Sequence, residues 1–169
     1  MGDAVDGILE QWRRERPDLD LSAMGVFGRL AQVMRVLEPQ VDQVFTKRGL
    51  RQGEFDVLAA LRRAGPPYTL IPSELSAVLM MSRAGMTNRL DRLEAAGLVE
   101  RSLDPADRRS FRVRLTDEGL RIIDETLTEH AANLARLASP LTSEDTETLA
   151  TILRKLLDGP LGKPGGREA

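Results

Sequence analysis

The chain has 169 residues, 41% hydrophobic and 30% charged, with a formal net charge of −2 and a pI of about 5.6. That is the balance of an ordinary globular chain, long enough for one domain with a core plus short arms. Cysteine is absent and histidine occurs once, which excludes disulfides, thiolate zinc sites, thiol oxidant sensing and cysteine nucleophiles. His130 alone cannot build a histidine metal site, and it reads as a helix-surface or interface residue. No stretch approaches 18 uninterrupted apolar residues and the first residues lack an apolar signal core. The expectation is a cytoplasmic protein with no membrane partner.

In chain order, residues 4–16 read as a short helix closed by Pro17. From Leu21, Met24, Phe27, Leu30, Met34, Leu37, Val41 and Val44 recur at three and four, which predicts a long amphipathic helix, kinked at Pro39 and stopped at Gly49. Phe55, Leu58, Ala59 and Leu61 predict the next helix, ended by RAGPPY. TLIPSELSAVL then reads as a short helix with Pro72 in its first turn. The run MMSRAGMTNRLDRLEAAGLVER opens with Ser82 as N-cap and closes with Gly97 as C-terminal stop.

Two strands follow. Residues 98–103 form one, and in the other Val113 and Leu115 alternate with Arg112 and Arg114, the period-two pattern of a half-buried strand. Asp104-Pro105-Ala106-Asp107 supplies turn chemistry, and Arg108 and Arg109 stand at the tip. Thr116 then caps a helix carrying Ile122, Ile123, Leu127, Leu134 and Leu137; Thr142 and Asp145 start a last one, ahead of a flexible tail.

A short helix, a tight connection and an N-capped helix with a small, polar start have helix-turn-helix spacing. Ser82, Arg83, Thr87 and Asn88 line the first turns of the second helix, away from Met86, Leu90 and Leu93. A helix N-terminus carries free N–H groups and positive dipole, suited to phosphates and base edges. The hairpin that follows is placed as a wing, and an arginine at its tip can enter a narrow minor groove. Alone, such a tip would be a solvated loop. Charge is segregated to match: from Met80 to Leu115 eight arginines face five acids, while 116–169 carries ten acids and six bases.

The run SRAGMTNRLDRLEAAGLVERSLDPADRRSFRVRLTDEGL resembles the MarR family of winged helix-turn-helix regulators, most closely in DRLEAAGLVER, DPADRRS and VRLTDEG. The resemblance spans roughly Leu21 to Leu157. It implies a mainly α fold with a small β-hairpin wing, and a homodimer whose N- and C-terminal helices interlock on a pseudo-palindromic double-stranded DNA operator, acting as a repressor. In the family, Asp107 braces an arginine of the wing; simple turn chemistry is the alternative. The layout expected is an N-terminal arm over 1–20, a helical dimerisation region over 21–49 and 117–158, a winged DNA-binding lobe over 50–116 and a tail over 159–169. The apolar stripes of 21–45, 119–137 and 146–157 exceed what one small winged lobe covers.

Arg89 stands three residues after Met86 and four before Leu93, so it borders the buried face. A buried cation needs a partner. Asp56, next to Phe55 on the preceding helix, is the natural candidate. Trp12, Asp56 and Arg89 together resemble the urate-responsive branch of the MarR family. That resemblance implies a small anionic effector, urate or a related purine, stacked on Trp12 and met by Arg89, with Asp56 displaced and Arg101 relaying the shift. The alternatives are that Asp56 and Arg89 form a structural brace, that the effector is a phenolic or a tricarboxylate, or that there is none. No cofactor, metal site or catalytic group is expected, since the carboxylates sit at caps or in i,i+4 pairs and no phosphate loop follows a strand.

Overall fold

The computed structural model describes residues 2–103 and 111–162, the side chain of Arg83 apart. Its elements are α1 (Ala4–Glu15), α2 (Ser22–Thr46), α3 (Gln52–Arg63), β1 (Thr69–Leu70), α4 (Pro72–Val78), α5 (Arg83–Ala95), β2 (Val99–Leu103), β3 (Phe111–Leu115), α6 (Asp117–Leu137) and α7 (Ser143–Asp158). The protein is mainly helical, with one antiparallel sheet in the order β1-β3-β2. Contacts divide it into two units, Met1–His130 and Ala131–Ala169.

Local chemistry sets the helix ends. Ser82 Oγ accepts from the Gly85 N–H at 3.2 Å, and the α5 end is turned by Gly97 at φ +71, where any other residue would be strained. Thr116 Oγ1 accepts from the Gly119 N–H, and Thr142 and Asp145 form a reciprocal capping box on α7. α2 runs through Pro39 as one helix of 25 residues.

The first unit is built on Phe45, Leu58, Leu61, Leu75, Met86, Leu90, Leu93, Val113 and Ile123, all buried. Burying one such side chain contributes roughly 1.5–3 kcal/mol, so this cluster joins α2, α3, α4, α5, the sheet and the start of α6. A satellite of Val5, Leu9 and Leu21 seats α1 on α2, and Arg29 of α2 bridges Asp3 at 2.8 Å and Asp6 at 2.6 Å. The second unit holds the end of α6 and all of α7. α7 buries none of its residues and exposes Leu149 and Ile152.

One expectation is corrected. Thr69 and Leu70 are not helical: they pair with Arg114 and Val113 as a third strand. Helix begins only at Pro72, because Ile71 at ψ 151 is held extended by the proline after it. His130, read as a helix-surface or interface residue, is half-buried. Its ring lies 5.2 Å from both the Phe45 and Phe55 rings, with Nδ1 buried and unpaired. Among the described residues no helix is long and apolar enough to cross a membrane, and no group of His, Asp and Glu is placed to hold a metal ion.

Candidate nucleic-acid interface and effector cleft

α4 and α5 are joined by Leu79, Met80, Met81 and Ser82, with Met80 at φ +49 and 94% exposed. Met86, Leu90 and Leu93 anchor the inner face of α5 in the core, and that rotation turns Ser82, Thr87 and Asn88 to solvent. Ser82 spends its oxygen on the cap and keeps its O–H to donate. Arg83 opens the same helix.

β2 and β3 pair in register from Val99↔Leu115 to Leu103↔Phe111, so the hairpin follows α5 directly. Arg101 ties the two together. It pairs with Asp91 and, at 2.9 Å, with Glu94, both on α5, and its N–H donates to Glu94. The hydrogen bond that Arg101 donates to Asp91 holds the guanidinium pKa above its usual value. One pair nearer the base of the hairpin, Glu100 and Arg114 face each other across the strands at 2.7 Å. Arg108 and Arg109, with Asp107, lie outside the described residues.

A cleft of about 580 Å³ opens on the other flank of α5, lined by Asp42, Thr46, Arg51, Gly53, Asp56 and Arg89 among others. Asp56 and Arg89 therefore share one space. They do not form an ion pair there. Arg89 Nη1 donates to Met81 Sδ and, at 3.4 Å, to the Gly53 carbonyl. Burial pushes the Asp56 carboxyl above its usual range, opposed by the fields of Arg89, Arg63 and His130. Trp12 is absent from the lining. Val5 meets Gly28 and Leu9 meets Gly25, so α1 runs back toward the start of α2. The cleft residue Asp42 lies 17 residues beyond Gly25 along that helix, about 25 Å at 1.5 Å per residue. Within one chain, Trp12 and the cleft are apart.

Sequence reasoning missed Glu54. It is 4% exposed, accepts from the Arg51 N–H at 2.8 Å and holds Arg92 Nε of α5 at 2.7 Å. The only signal for it is its position in the first turn of α3, where an acid suits the helix dipole. Arg51 and Met81 were missed as well, because neither stands out until the cleft is folded.

A family profile described as MarR family matches residues 48–110, which run from the end of α2 into the wing. The HTH-type transcriptional regulator PecS of Dickeya dadantii is 42% identical over 152 residues, 90% of this chain and 92% of the relative. The chain belongs to the MarR family. Another relative, the HTH-type transcriptional regulator PapX of Escherichia coli, is 31% identical over 92% of this chain and 94% of its own. A crystal structure of a mutant MarR from E. coli complexed with operator DNA superposes with a TM-score of 0.68 at 27% identity, covering 86% of this chain and 97% of that one. This MarR-family protein is a DNA-binding transcriptional regulator and not an enzyme. α4–α5 is its helix-turn-helix and β2–β3 its wing.

Proposed function

We propose that this regulator binds a pseudo-palindromic operator as a homodimer, represses from it, and is released by a small anion, urate or a related purine. The cleft carries the reading. It sets two arginines, Arg51 and Arg89, beside a carboxyl that burial already discourages from ionising. An arriving anion replaces weak partners of Arg89 with a charge-assisted one and pushes Asp56 further toward its neutral form. The cleft volume falls within the roughly 300–1,000 Å³ of small-molecule sites. Arg89 sits on the helix that opens at Arg83 and whose start presents Ser82, Thr87 and Asn88 to DNA, so its capture biases the reading helix. Arg101 carries the same bias to the wing through Asp91 and Glu94.

Support for a homodimer comes from unpartnered apolar faces. Met24, Val33, Met34 and Val36 of α2 and Leu149, Ile152 and Leu157 of α7 stand between 42% and 62% exposed. A monomer leaving that much apolar helix in water is unusual. Trp12 enters the effector reading only from a second copy.

The test is fluorescence anisotropy on a duplex from upstream of the regulator's own gene, at fixed salt, with urate, salicylate and tartrate titrated in turn. Release by urate alone supports the purine reading. Release by salicylate or tartrate alone moves the cleft to a phenolic or a carboxylate, and release by none contradicts it. On the same duplex, Arg108→Ala is expected to weaken binding and lower the salt slope by about one unit. An unchanged slope would remove Arg108 from the contact.

A further inference from the structure

Arg89 reaches two things at once. Its Nη1 touches α3 through the Gly53 carbonyl and touches the helix-turn-helix through Met81 Sδ. Gly53 makes that reach possible, because a Cβ there would overlap the guanidinium carbon. Met81 immediately precedes the N-cap Ser82, its N–H is held by the Ser76 carbonyl at 2.9 Å, and its methyl lies 3.1 Å from where a side chain on Gly85 would begin. It is half-buried against the main core, which places its side chain between the cleft and the first turn of α5.

We propose that Met81 is the positioning residue that holds Arg89 in the effector-free state and cedes it to an anion, coupling the cleft to the start of the recognition helix. This rests on the effector reading above and adds its mechanical step. A thioether is a weak acceptor, whereas a ligand anion offers a charge-assisted bond roughly twice as strong as a neutral one. An acid in place of Met81 would hold Arg89 against any ligand. A purely apolar residue would leave it unheld. The thioether is an acceptor that an anion can outcompete, and its loss of Arg89 is the differential contact that an effector needs to shift an equilibrium.

The variant is Met81→Leu, which keeps volume and removes the acceptor. Operator affinity without ligand should stay within about threefold of wild type. Urate, with no tie to displace, should bind the free protein about threefold more tightly, while the ratio of its affinities for free and operator-bound protein falls at least about threefold. An unchanged ratio overturns the proposal. Gly53→Ala, a substitution that favours helix, should move the ratio the same way by expelling the guanidinium, and it serves if Met81→Leu does not fold. Wild-type protein indifferent to urate would instead overturn the effector reading. The tie is then judged by amide exchange of residues 83–86 in unliganded Met81→Leu: faster exchange supports it and unchanged exchange ends it.

Discussion

Arg89 and Arg92 stand three residues apart on α5 and both reach toward α3, yet they are held in opposite ways. Arg92 meets a buried carboxylate, Glu54, at 2.7 Å. Arg89 meets a thioether and a distant carbonyl, with the Asp56 carboxyl in the same cleft but outside pairing distance. A closed ion pair fixes one end of the α3–α5 contact. An open arrangement of the same residue types leaves the other end ready to respond. The lesson is that a cation becomes a sensor when its partner is one that an incoming anion can better.

The largest effect should come from breaking the closed end. Glu54→Ala removes a helix-start hydrogen bond and strands Arg92, whose 45% side-chain exposure lets water recover part of the loss. About 2 kcal/mol of destabilisation is expected in urea denaturation. A loss below about 0.5 kcal/mol would mean that the two ends are alike. Next, Arg101→Ala cuts the wing from α5. Its partners are largely exposed, so stability should fall by only about 0.5–1 kcal/mol, while effector-driven release from operator weakens more than operator affinity does. Equal losses in both would make Arg101 a simple strut.

The smallest effect is a pH slope. Burial against the stacked Phe45 and Phe55 rings lowers the His130 pKa below 6.5, with Asp56 opposing. Its contribution is therefore fully present above pH 6.5 and is lost as pH falls through the folded value. Asp56, raised above 3.8, works the other way, contributing below pH 3.8 and losing that contribution as pH rises through its folded value. Thermal denaturation from pH 7 downward should thus show an acid-side decline that His130→Phe flattens. A parallel decline in the variant would place the slope elsewhere.

What the sequence made legible was local. Ser82, Gly97, Thr116 and Thr142 mark helix ends because caps and stops are decided within four residues. The inner face of α5 could be read because Met86, Leu90 and Leu93 repeat at helical spacing. The wing strands followed from alternation. β1 escaped because two residues cannot show a period, and its partner β3 lies more than forty residues on. The half-burial of His130 was not legible because Phe45 and Phe55 reach it only in the fold. Glu54 and Met81 were hidden for the same reason: Arg89 and Gly53 are 36 residues apart and meet only when α3 and α5 pack. Asp56 and Arg89 line one cleft, but the distance between them, which separates a brace from a cleft, is a property of packing.

The most direct measurement is calorimetric titration of urate into Arg89→Ala and Arg92→Ala, at a temperature where both remain folded by circular dichroism. Urate binding lost in Arg89→Ala and kept in Arg92→Ala is the expected result. Equal binding in both variants, or equal loss, would contradict the division of labour between the two arginines.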